Sequence, residues 1–227
     1  MVTTIERLPP QVDVSSEVLS SLINMAGRQR MLSQRIVFKA MLALRRSDGA
    51  LAIAQETLRT FADSHAALVQ GRDGLPGLFS PALREAFHGS GNGSSSGHVE
   101  KRITNFIALA HAALDAIARE ASNAESALEV LIASADPLLG DLHGVTAVYE
   151  QESRRIARAQ KKEQQQLIDR IKSIAKEAHI VSFNGQIVAS RTNVTGREFA
   201  VVAGVMTSIT KELEAVVSAF VKKVSGA

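Results

Sequence analysis

Residues 150–178, EQESRRIARAQKKEQQQLIDRIKSIAKEA, contain neither glycine nor proline. A run of strong helix formers of that length is compatible only with a helix, since strands are short and need turn residues at their ends. From Leu167 a 4/3 spacing of apolar and small residues sets in, through Ile171, Ile174, Ala178, Val181, Gly185 and Val188. After Gly196 it restarts at Phe199, Val202, Met206, Ile209, Leu213, Val216 and Phe220. Two heptad stripes of similar length on either side of a break predict an antiparallel helical hairpin, a coiled coil with arms over 167–191 and 197–222 and a turn within 192–196. One local signal competes: HIVSF-NG-QIVAS reads alone as two short strands around an Asn-Gly turn. The helical reading ranks first because the heptad crosses Asn184 and Gly185 in phase, and an interior helical glycine costs only about 1 kcal/mol.

The same periodicity organises the first part of the chain. Pro9 and Pro10 punctuate a tail over 1–17, and Ser15, Ser16 and Glu17 give an N-cap signal. Helices are then expected over 18–44, stopped near Asp48 and Gly49, and over 50–69, ended by Gly71. The Gly- and Pro-rich stretch 71–81 reads as an irregular connection that Leu75, Leu78 and Phe79 pin down, followed by a short helix over 81–87. Residues 89–97 are only Gly, Ser and Asn, the composition of a flexible loop. Helical patterns resume over 99–117 and 122–142, the latter expected to kink or break at Pro137. The expected architecture is all-α: an antiparallel four-helix bundle over 18–143, then a long helix and hairpin over 144–227.

Composition closes off other classes. With no cysteine, thiolate metal sites and cysteine nucleophiles are excluded, and a cytoplasmic address fits. The stretches free of charge are too short to cross a bilayer, and the N-terminus lacks a secretory pattern, so no membrane insertion is expected. The six histidines lack metal-ligand spacing, and no phosphate-cradling loop or nucleophile elbow occurs. No catalytic residue, no metal site and no cofactor is therefore assigned, and an enzyme is the least fitting class. The cations Arg154, Arg155, Arg158, Lys161 and Lys162 share a face, but acidic residues interrupt them and no aromatic is interleaved; this reads as a solvated helix, with no nucleic acid as partner.

Residues 23–35, INMAGRQRMLSQR, closely resemble the first-helix signature of the PilJ-type sensor domain of type IV pilus chemoreceptors, and nitrate- and nitrite-sensing kinases carry a related pattern. FADSHAALVQG is similar to the same domain's second helix, so the resemblance extends over roughly 18–142. Residues 174–209 in turn resemble the signalling tip of methyl-accepting chemotaxis proteins through Asn184, Ile187, Ala189, Arg191, Gly196, Arg197 and the run from Phe199 to Ala203. Val188 and Val194 stand where that family has two tip glutamates, Glu198 replaces a glycine, and Val205, Met206 and Thr207 replace a Glu-Val-Arg.

What these resemblances imply is a soluble sensor and transducer. In the PilJ-type family a pair of arginines from two subunits faces one small anion at a dimer interface, and the matching position here is Arg30. Helical geometry places Arg30 on a stripe with Ile23, Ala26, Gly27, Val37 and Met41, expected to be buried, and a planar fork of donors suits nitrate or nitrite. The candidate anion site is thus Arg30, Gly27, Ala26 and Ile23; the plainer reading of Arg30 is an ion pair within the bundle. Arg28 and Arg35 fall on another face and read as solvated or as binding the domain's other helices rather than as ligand contacts. The hairpin tip, with Asn184, Ile187, Arg191, Arg197 and Phe199, is the expected surface for chemoreceptor or chemotaxis signalling proteins, and a homodimer is expected from the unpaired seams. The alternative is an adaptor that has lost ligand response and pairs with such proteins through its hairpin.

Overall fold

The computed structural model describes residues 14–89, 99–191 and 194–225, with the backbone alone for 191, 194–199 and 222–225. The Pro9–Pro10 segment and almost all of the Gly/Ser loop lie outside the described residues. Six helices follow in order: α1 (Ser16–Leu44), α2 (Ala50–Gln70), α3 (Pro81–His88), α4 (Val99–Ala118), α5 (Ala124–Arg191) and α6 (Val194–Ser225). Among the described residues there is no strand, so the Asn184–Gly185 region belongs to α5 and the hairpin-turn alternative falls. The chain divides into two compact units, Met1–Arg155 and Ile156–Ala227.

In the first unit local signals set the helix ends. The Ser15 hydroxyl accepts from the Val18 amide at 3.3 Å and caps α1. Ser80 does the same for α3 through the Leu83 amide at 3.2 Å, with Pro81 in the first turn, where a missing N–H costs nothing. Helix α1 ends at Leu44 as expected, ahead of the Asp48–Gly49 stop signal, and Gly49, with φ 68°, opens α2. Leu22, Ile36, Leu58, Phe61, Phe106, Leu114, Leu131 and Leu138, drawn from α1, α2, α4 and the first part of α5, share one core. Phe61 and Phe106 meet edge to face at 5.6 Å.

Pro137 does not break α5: the helix runs without interruption from Ala124 to Arg191. Pro137 and Ala133, whose carbonyl loses its partner, both lie on the exposed face, where water takes the place of the missing bond. On the other face Leu131, Ala135, Leu138 and Leu142 are buried and hold the segment in register.

The connection between α2 and α3 depends on glycine. Gly71 has φ 79° and ψ 144°, and a Cβ there would sit 2.6 Å from the Leu75 carbonyl oxygen. Gly71→Ala should therefore destabilise the protein by about 1–3 kcal/mol. Gly140→Ala, in α5 with open space around its Cβ position, should stabilise it by up to about 1 kcal/mol. Urea midpoints shifting in the same direction for the two variants would refute this account.

The second unit is the hairpin formed by the last part of α5 and α6. Helix α6 opens three residues before the expected Arg197. The seam that closes is not the expected one. Buried positions recur every seven residues at Ile168, Ala175, Ser182 and Ala189 on α5 and at Ala203, Thr210 and Val217 on α6. The Gln186 amide donates to the Thr207 hydroxyl at 3.4 Å and fixes the antiparallel register. Leu167, Ile174, Val181, Val202, Ile209 and Val216, all from the expected seam, are each more than half exposed. Small and hydroxyl side chains let two helices approach closely, whereas the bulky stripe faces away from the intrachain contact.

Candidate functional site

The middle of α1 carries two stripes. The one that enters the core runs through Leu19, Leu22, Ala26, Gln29, Ser33, Ile36, Ala40 and Ala43, a 3/4 repeat without interruption. Arg30 is not on it. It lies on the neighbouring face with Ile23 and Gly27, both half-buried, and with the exposed Phe38 and Met41. The expected stripe is thus split: Ala26 and Val37 go to the core, while Ile23, Gly27, Arg30 and Met41 share an outer face.

Arg30 folds back along its own helix. Its Nε donates to the Gly27 carbonyl at 3.3 Å, and a Cβ on residue 27 would stand 3.4 Å from its guanidinium. The Ser33 hydroxyl donates to the Arg30 carbonyl at 2.9 Å, so that serine serves the backbone. No carboxylate among the described residues lies within ion-pair distance of Arg30. Among the described residues, the intrabundle ion pair that would explain the residue on structural grounds alone is not formed. Arg30 is half-buried with most of its donors unengaged, and the same side of α1 exposes Phe38 and Met41 about two and three turns further on, a face suited to a second surface and an anion.

Gln29, unnoticed in the sequence, is the polar residue that α1 sends inward. Its amide nitrogen donates to the Phe61 carbonyl at 3.0 Å, and its buried oxygen has no partner. Its place on the 3/4 repeat with Leu22, Ala26 and Ile36 was the signal that marks it. Arg28 and Arg35 are exposed, as a solvated reading requires, and both line an open groove of about 360 Å³ between α1 and α2, over Leu32 and Ile53.

Elsewhere in this unit, charges are largely met. A groove of about 560 Å³ between α3 and α5 carries Asp141 and Glu152, but Arg102 pairs with the first at 3.1 Å and Arg155 forks onto the second at 3.1 Å through two nitrogens. Burial holds His65 below the usual histidine range despite the attraction of Glu100, and pushes the Tyr149 phenol up. Glu100 itself is 2.7 Å from His88. Among the described residues no group of three His, Asp or Glu is placed to hold a metal ion.

At the hairpin, Asn184 and Ile187 are exposed on α5. The side chains of Arg191, Arg197 and Phe199 lie outside the described residues. Of the basic stripe, Arg154 is paired with the exposed Glu150, as expected of a solvated helix face, whereas Arg155 is drawn onto the buried carboxylate of Glu152. Among the described residues no helix is long and apolar enough to cross a membrane.

No curated protein and no solved structure matches the chain. Residues 14–90, which contain α1 with Arg30, α2 and α3, match the PilJ family model, the N-terminal part of type IV pili methyl-accepting chemotaxis transducers.

Proposed function

We propose that this protein is a chemotaxis-type sensor and signal transducer that acts as a homodimer and binds a small oxyanion, nitrate or nitrite first, between the Arg30 residues of two α1 helices. The observation that carries the reading is the outer face of α1: Arg30 over Gly27, with no carboxylate partner among the described residues, on a side of the helix that also exposes Phe38 and Met41 further on. Two guanidiniums brought together in a partly dry interface repel one another, and one anion between them turns repulsion into two charge-assisted attractions. Anion binding and dimerisation are then linked, each favouring the other. The signal is a change in the packing of the two α1 helices, passed along α5 to the hairpin, and it exists only to the extent that the anion prefers one packing.

The tip around Asn184, Ile187, Arg191, Arg197 and Phe199 is the surface offered to chemoreceptor or chemotaxis signalling proteins. The second reading, a ligand-independent adaptor working through that surface, is favoured by the valines at 188 and 194, where chemoreceptor tips carry glutamates. A thermal-shift series separates the two. Nitrate or nitrite at 100 times its dissociation constant should stabilise the folded protein by about 2.7 kcal/mol. A flat response to both anions would leave the adaptor reading.

A further inference from the structure

We propose that the groove between α1 and α2 is a second ligand site, separate from the Arg30 face, and that it takes a short linear dicarboxylate. Arg28, Leu32 and Arg35 lie at i, i+4 and i+7 of α1, so all three share one stripe, with the two arginines about 10 Å apart along the axis and the leucine between them. Across the groove α2 contributes Ala52, Ile53 and Thr57. The floor is therefore apolar in the middle and cationic at both ends.

Neither arginine has a carboxylate within ion-pair distance among the described residues. The one acidic side chain lining the groove, Glu56, is engaged by Arg59 at 3.1 Å. The Thr57 hydroxyl is likewise committed, donating to the Ile53 carbonyl at 2.6 Å, so the groove's free hydrogen-bond donors are two guanidinium forks, while Glu56, bonded through one oxygen, is largely exposed to solvent. A guanidinium fork matches a carboxylate through two parallel bonds. Two forks separated by an apolar stretch match two carboxylates separated by a short methylene chain, and the volume of about 360 Å³ accommodates such a molecule. A monoanion such as nitrate engages only one end.

The test is isothermal titration of the full chain with succinate and glutarate, with acetate and butyrate as single-headed probes. At least one dicarboxylate should bind ten or more times as tightly as acetate, by the general gain from joining two contacts in one ligand. Arg28→Ala and Arg35→Ala should each bring it to within about threefold of acetate, whereas Arg30→Ala should leave it unchanged. All three variants change half-buried or exposed side chains, and unchanged circular dichroism checks that they fold. Equal affinity for one and two carboxylates, undiminished binding by the Arg28→Ala/Arg35→Ala double variant, or loss on Arg30→Ala would each overturn the proposal. Because the readout is succinate or glutarate rather than nitrate, its failure is distinct from failure of the Arg30 site.

Discussion

Ile209→Glu is expected to turn the proposed homodimer into a monomer without unfolding the chain. Ile209 is 58% exposed in the hairpin, so a carboxylate there meets water and the monomer loses little. In the proposed dimer the bulky stripes of two hairpins, Ile174 and Val181 on α5 with Val202, Ile209 and Val216 on α6, close against each other as a four-helix seam. Two-fold symmetry introduces the charge twice, and each buried unpaired carboxylate costs several kcal/mol, so the dissociation constant should rise by at least about a hundredfold. Ser218→Glu is the matched control. It is exposed on α6, on the side of that helix away from the stripe, and should leave the association unchanged. Sedimentation velocity decides between the outcomes. Wild-type protein that stays monomeric at high micromolar concentration, with and without nitrate, would end the homodimer; an Ile209→Glu variant that dimerises as tightly as wild type would move the interface off the hairpin.

The helices themselves were legible in the sequence because each carries its own punctuation: Ser15 before α1, Gly49 between α1 and α2, Gly71 after α2, Ser80 and Pro81 at the start of α3. What periodicity did not reveal was which stripe a single chain buries. Helix α1 has a repeat through Ala26, Gln29 and Ser33 and another through Ile23, Gly27 and Arg30; hydrophobicity alone favours neither, since the buried one contains a glutamine and a serine. The hairpin poses the same problem more sharply. Its large residues attract attention, yet Ala175, Ser182, Ala189, Ala203 and Thr210 form the intrachain seam, because small side chains permit closer backbones than bulky ones. Of the two outcomes expected at Pro137 the break does not occur, because the orphaned carbonyl lies on an exposed face and the helix continues past it.

At the candidate site the resemblance carried Arg30 to its position, but the physical argument for it had to change. A buried arginine calls for compensation within the fold, and the bundle would have to supply a carboxylate. An arginine on an outer face over Gly27, lacking that carboxylate among the described residues and sharing its side of α1 with exposed Phe38 and Met41, leaves the compensation to something outside the chain. Gln29 takes the inward role expected of its neighbour. The pair Arg28 and Arg35 was visible as an i, i+7 spacing, but whether two cations face open water or a groove depends on α2, which no reading of α1 alone contains.

The largest expected effect on ligand response belongs to Arg30. Arg30→Ala should abolish nitrate and nitrite binding while helix content stays the same. Alanine is the best helix former, and the arginine makes only the Nε contact to Gly27 within its own helix, so the fold loses almost nothing. The site, by contrast, loses charge-assisted bonds worth about 1.5–3 kcal/mol each, from both subunits at once, which is a fall in affinity of a hundredfold or more. Arg30→Lys should also bind poorly, because a point charge does not reproduce the planar fork. Arg45→Ala, at the exposed end of α1, is the charge-matched control and should bind as wild type does. Isothermal titration with nitrate gives the answer directly. If Arg30→Ala bound the anion as tightly as wild type, the outer face of α1 would not be the recognition surface; if Arg45→Ala weakened binding equally, the effect would be one of net charge rather than of a site.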